Sequence, residues 1–286
     1  MCGIAVTICL VNFVALNSPD RGDDWETFQS HGYFSVDAIR DGAWHGLITS
    51  VFVHIEFWHV AFNVYWLWVL GSRFEREFGT PKFVAFFLSA GFVSSATQLA
   101  HTDDTGIGAS GVAYALFGFM WPVRSRFPSF RAVITPRIAG LFVLWALLCV
   151  VATYWGSVPI GNAAHLSGML FGGAVAGLWV TRFRPQLMAA GLIVLMVLAV
   201  VPLFWAPWST GWLSQQAYDA QITGDLPTAH DLYTQVLARD PDNAWAWYNR
   251  GTVNQGLGRD AQAEVDFDKA AALDRDLYGP DSNSYE

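Results

Sequence analysis

Four residues of this chain have the types and placement needed for acyl transfer: Ser110, His165, His59 and Asn63. Ser110 lies between small neighbours in Gly108-Ala109-Ser110-Gly111, at the start of an apolar run. A serine hydroxyl attacks a carbonyl well only when a base removes its proton, and imidazole does this near neutral pH. Ser110 and His165 therefore form a nucleophile–base pair by type. His59 and Asn63 are four apart, so they share a helix face, and both can donate hydrogen bonds to an oxyanion. A third donor is the backbone N–H of Ser110, which sits at a helix N-terminus where N–H groups are free and the dipole is positive. Tyr114, one turn below Ser110, is placed to pack on the His165 ring and hold it, since no carboxylate is available to orient it.

These residues must be positioned by helices in a membrane. The chain is 53% hydrophobic and only 14% charged, against about 25% charged residues in a soluble domain. Seven apolar runs read as spans: Cys2–Leu16, Phe57–Leu70, Phe83–Leu99, Ser110–Val123, Ile138–Tyr154, Ala164–Val180 and Leu187–Trp205. The first lacks a positive leader and a small-x-small cleavage site, so a span is preferred to a signal peptide. The Ser110 run has roughly 15 apolar residues where a crossing needs ~20. Its serine is therefore expected below the membrane surface, where irregular backbone survives only inside protein or beside a water-filled cavity.

Lys and Arg cluster after the second, fourth and sixth runs, at Arg73, Arg76 and Lys82, at Arg124, Arg126, Arg131 and Arg137, and at Arg182 and Arg184. By the positive-inside rule these loops are cytoplasmic, as is the N-terminus, and the C-terminal region lies on the opposite side. His59, Asn63, Ser110 and His165 then fall at the outer ends of their helices, at one depth. The net charge is −8, and the absence of a basic patch argues against a nucleic-acid partner. Cys2, Cys9 and Cys149 lie in apolar runs and read as small buried hydrophobes.

After Trp208 the composition turns polar. A shift of 34 residues aligns Gly224 with Gly258, Ala229 with Ala263, Tyr233 with Phe267 and Asp240 with Asp274. That period, with small and aromatic residues recurring on paired helices, resembles the tetratricopeptide repeat. Two copies are fewer than the three usually needed for a continuous core, so apolar surface of the repeats is expected to be left for a protein partner, a second copy of the chain, or the membrane domain. The expected fold class is all-α: a polytopic membrane helix bundle of six spans over residues 1–183, a seventh span over 184–208, and a small soluble α-helical repeat domain over 209–286.

Other polar residues have plainer readings. His54-x-Glu56-xx-His59 looks like a zinc helix, but its histidines are five apart rather than four and face different directions, so no metal and no cofactor is expected. Asp103 and Asp104 read as solvated charges of an outer loop. Trp58, Trp66, Trp68, Trp205 and Trp208 read as interfacial or lipid-facing residues, and Trp245 and Trp247 as packing within the repeats. Gly111, Ala115 and Gly118 on the fourth run, with Gly168, Gly172, Gly173 and Gly177 on the sixth, let two helix backbones approach closely in lipid.

Over roughly residues 40–180, His59-xxx-Asn63, Gly108-Ala109-Ser110-Gly111 with Tyr114, and Ala164-His165-xx-Gly168-xxx-Gly172 resemble the rhomboid family of intramembrane serine proteases. The resemblance implies a Ser110–His165 dyad without an acidic third member. It also implies an oxyanion site from His59, Asn63 and the Ser110 amide, and cleavage of transmembrane protein substrates in or near their spanning segment. The family's frequent Trp-Arg pair in the first loop is replaced by His45 and Gly46, with Trp44 just before. The expected function is intramembrane serine endopeptidase activity in a plasma or inner membrane. The alternative is a catalytically silent membrane scaffold whose repeats bind proteins.

Overall fold

The computed structural model describes residues 1–18, 25–156, 160–274 and 278. All regular structure among them is helical. Every apolar run forms a helix. Helix α1 spans Cys2–Leu16, and the first loop carries three short helices, α2 (Trp25–Ser30), α3 (Val36–Arg40) and α4 (Gly46–Thr49), the last running into a 3-10 turn at Ser50–Phe52. The chain then bends by 101° into α5 (Phe57–Trp66), which continues through a π-helical turn at Leu67–Gly71 into α6 (Ser72–Phe78). Helix α7 (Thr80–Thr102), α8 (Ser110–Val123), α9 (Pro128–Val133), α10 (Pro136–Gly156), α11 (Asn162–Ala176, extended by a π-helical turn to Thr181) and α12 (Pro185–Phe204) follow. Four further helices are α13 (Thr210–Ile222), α14 (Leu226–Arg239), α15 (Ala244–Gly256) and α16 (Asp260–Leu273). The chain divides into two compact units, Met1–Phe204 and Trp205–Glu286.

The count of spans differs from the seven expected. By length and apolarity, four described helices can cross a membrane, α7, α10, α11 and α12, or five if the bent pair ending in α6 counts as one. Helices α1 and α8 are shorter apolar helices. At 1.5 Å per residue the 14 residues of α8 reach only ~21 Å, short of the ~30 Å hydrocarbon core. It can be short because it is enclosed: every residue from Gly111 to Met120 is buried. The outermost helices show the reverse pattern. Only 17% of the most apolar window of α10 or of α12 is buried, against 61% for α7. Apolar side chains that face outward need a solvent as apolar as themselves.

The core of the first unit is aromatic. Phe74, Phe83, Phe86 and Phe119 cluster edge-on and tilted around the inner part of α8, and Phe117 stacks on Phe142 of α10. Trp66, expected at the lipid boundary, is buried against Phe142 instead. The other four tryptophans of that expectation are about half exposed.

In the second unit, α13 packs on α14 and α15 on α16. The aligned glycines Gly224 and Gly258 both take positive φ, +85° and +72°, at the turn inside each pair, a conformation that glycine adopts without strain. Tyr233, Ala229, Ala246 and Ala263 are buried between the helices, and the Phe267 ring lies against Gly251.

Candidate active site

Helix α8 starts at Ser110, so its first N–H groups have no intrahelical acceptor. His165 lies in the first turn of α11. The two helices pack through glycine. A Cβ on Gly168 would overlap the Gly111 carbonyl, one on Gly172 the Ala115 carbonyl, and one on Gly118 the Met169 carbonyl. That backbone-to-backbone approach brings His165 Nε2 to 2.9 Å from Ser110 Oγ. Gly111 has a further neighbour, Ser94 of α7, whose Oγ would lie 2.7 Å from an added Cβ.

The imidazole of His165 is buried, and the Tyr114 ring stacks on it at 4.6 Å between centroids with 27° between planes. The Tyr114 hydroxyl donates to the Phe142 carbonyl at 3.0 Å, which ties the stacking ring to α10. No described side chain hydrogen-bonds to His165 Nδ1. The ring is thus held by stacking and by its own helix, and among the described residues no carboxylate bonds to it. With the proton on Nδ1, Nε2 presents its lone pair to the serine hydroxyl.

His59 and Asn63 both lie beside the turn that leads into α8. Gly108 takes φ +94°, and a Cβ there would fall 2.7 Å from the His59 ring and 2.9 Å from Asn63 Nδ2. A glycine at 108 therefore keeps open the wedge between the two donors and the backbone next to Ser110. Asn63 Nδ2 is 3.0 Å from His54 Nε2, and the Ala109 N–H points to the same nitrogen at 3.4 Å. Two N–H groups aimed at His54 Nε2 make it the acceptor, which leaves Nδ1–H to donate to the Phe52 carbonyl at 3.3 Å. The Asn63 amide carries two N–H bonds, so the one given to His54 leaves a second for a ligand.

The motif glycines and Tyr114 lie around one Ser–His contact. Asp103 and Asp104 differ from their expected reading. Neither is simply solvated: Arg40 Nη2 donates to Asp103 Oδ1 at 3.0 Å with its side chain 3% exposed, and Asp104 Oδ1 accepts from the Tyr33 hydroxyl at 2.8 Å and from the Gly106 N–H at 2.9 Å. A charge in a loop between apolar runs reads as solvated until a partner far along the chain is known.

Gln98 was also missed. Its Oε1 accepts from the Ala164 N–H at 3.2 Å and so fixes the start of α11 to α7. The signal was present, because an amide inside an apolar run is costly without a partner.

The family model of the Rhomboid domain matches residues 41–183, half of the chain, and that of the Tetratricopeptide repeat matches residues 232–265. Rhomboid protease GlpG of Serratia proteamaculans (strain 568) is 34% identical over 139 residues, 48% of this chain and 48% of its own length. Rhomboid protease GlpG of Yersinia pestis (strain Pestoides F) is 33% identical over 138 residues, 47% of this chain and 48% of its own. The chain thus spans about half the length of the curated relatives it matches. Glycine-mediated packing that joins a helix-terminal serine to a stacked histidine, among helices built for lipid, and a matching domain model over the same residues lead to one conclusion: this integral membrane protein belongs to the rhomboid family of intramembrane proteases.

Proposed function

We propose that the protein is a serine endopeptidase that cleaves membrane-protein substrates in or near a transmembrane segment, using Ser110 as nucleophile and His165 as base. The observation that carries this is the 2.9 Å contact between Ser110 Oγ and His165 Nε2 at the N-terminus of α8. His165 takes the hydroxyl proton as Ser110 attacks the scissile carbonyl, then returns it to the leaving amine. The tetrahedral oxyanion is held by the Ser110 N–H, His59 and the free N–H of Asn63, with Gly108 leaving room for it. One such donor is typically worth about 100- to 1000-fold in turnover. Tyr114 keeps the imidazole plane aimed at Ser110, and Gly168 sets how closely His165 approaches.

The substrate is a helix that unwinds easily near its outer end, since a carbonyl held in helix hydrogen bonds is not open to attack. The N-terminus is cytoplasmic and the repeat unit lies on the other side of a plasma or inner membrane, where it binds a protein partner or substrate.

The test is cleavage of a model single-span substrate in detergent, with fluorophosphonate labelling of the folded protein. Ser110→Ala is expected to lower turnover by at least about 10⁴-fold and to abolish labelling. Full activity in that variant would end the assignment. Wild-type protein that takes no label and cuts nothing would favour the silent scaffold.

A further inference from the structure

The segment that leads to Ser110 is tied to the first loop at four places. Arg40 donates to Asp103 and Tyr33 to Asp104. The Gly108 N–H donates to the Ser50 carbonyl at 3.0 Å, and the Ala109 N–H points to His54. Of these ties, the one at Asp104 does more than join two loops. The same oxygen, Oδ1, also accepts the Gly106 N–H, so a single carboxylate oxygen links the Tyr33 hydroxyl to the turn four residues before Ser110. Gly106 sits at φ +65° and Asp103 at +55°, left-handed conformations that the closed turn holds in place.

The first loop is itself anchored from behind. Ile39 and Leu47 are fully buried in a cluster with Ala96 and Leu99 of α7 and Ala199 and Leu203 of α12, and Trp44 meets Phe204 edge-on at 5.6 Å. Ile39 precedes Arg40, so the packing that fixes the loop also fixes the guanidinium. This packing supports the part of the loop that follows Tyr33.

We propose that Asp104 is a positioning residue for the nucleophile, holding the Thr105–Ala109 turn in the register that places Ser110 and its N–H against His165 and the oxyanion. This rests on Ser110 being the nucleophile. Asp104 is itself exposed, so its removal costs little stability, and what changes is the placement of the turn. Tyr33 stays a donor throughout the working range, because burial and then the Asp104 charge push its hydroxyl pKa above the ordinary value.

A net hydrogen bond is worth about 1 kcal/mol, so losing one or both of those on Oδ1 corresponds to about a five- to thirtyfold change in rate. In the full-length protein in detergent, with a single-span model substrate, Asp104→Ala is expected to lower kcat by about that factor. The rate of Ser110 labelling by a fluorophosphonate should fall by the same factor, with KM within about twofold and thermal unfolding nearly unchanged. Asp104→Asn keeps an acceptor oxygen and should recover most of the loss. Tyr33→Phe should lower kcat too, and its effect should not multiply with that of Asp104→Ala.

Wild-type kcat and labelling in Asp104→Ala would overturn the proposal. So would an Asn variant as impaired as the Ala variant, or a loss confined to KM. If Ser110→Ala is inactive while Asp104→Ala is unimpaired, only this inference falls. If Ser110→Ala retains turnover, the nucleophile assignment fails and this inference with it.

Discussion

The membrane unit and the repeat unit both rely on glycine between helices, and they use it differently. In the first, Gly118, Gly168 and Gly172 each face the backbone of a neighbouring helix. In the second, Gly251 is a notch for the Phe267 ring and Gly256 for the Leu226 side chain. Water explains the second arrangement, since every Å² of apolar ring removed from it contributes about 25 cal/mol. Lipid explains the first, because a side chain exchanged between lipid and protein gains little, and helices associate through close packing and polar contacts. Their buried polar groups differ in the same sense. Asp266 of α16 accepts two bonds from Arg250 and one from Asn254, which leaves it no free role. The polar groups around Ser110 are only partly engaged: among the described residues His165 Nδ1 has no hydrogen-bond partner.

Changing each region in turn sharpens this contrast. The largest effect is expected from Asp266→Ala, which leaves the Arg250 guanidinium, 17% exposed, without its partner. Breaking a buried pair costs about 3–5 kcal/mol. Peptide-level hydrogen exchange should show residues 210–273 losing protection while cleavage of a minimal single-span substrate continues. A loss of that cleavage would show that the units do not act separately.

Gly172→Val comes next. Its side chain collides with the Ala115 carbonyl, a fixed backbone atom, at a cost of about 3 kcal/mol. It should lower the thermal unfolding temperature of the membrane unit and remove activity together, with the repeats still protected from exchange. Tolerance of valine there would mean that α8 and α11 need not pack so closely for His165 to reach Ser110.

The smallest change is at Tyr114. Replacement by Ala removes the ring stacked on His165 and should lower kcat about tenfold, since an aromatic pair is worth about 0.5–1.5 kcal/mol. Replacement by Phe keeps the stacking and gives up only the bond to the Phe142 carbonyl, so kcat should fall by less. Equal losses in the two variants would make the hydroxyl, not the ring, the part that matters.

The residues of the candidate site can be singled out from the sequence. Ser110, His165, His59 and Asn63 stand out because polar side chains in apolar runs need a reason, and the glycine spacing on two runs indicated which helices meet. Periodicity puts Tyr114 one turn below Ser110 on the same helix face. Three things could not be read that way. The burial of Trp66 depends on α10 lying across it. The acceptor role of His54 depends on two N–H groups from different segments. The pairing of Asp103 and Asp104 with Arg40 and Tyr33 joins residues more than sixty apart, and a charge in a loop has no periodicity from which to infer a partner.

What the sequence determined alone is local: which runs are helices, which faces carry small or reactive residues, the period of the repeats, and which family the motifs resemble. These follow from periodicity and side-chain chemistry within a few turns of helix. The tertiary structure alone decided that α8 is enclosed by its neighbours, that Gly108 holds open a wedge beside the serine, and that the first loop supports the turn before it. Each is a relation between segments distant in the chain, and such relations depend on how closely whole helices can pack, which no single stretch of residues encodes.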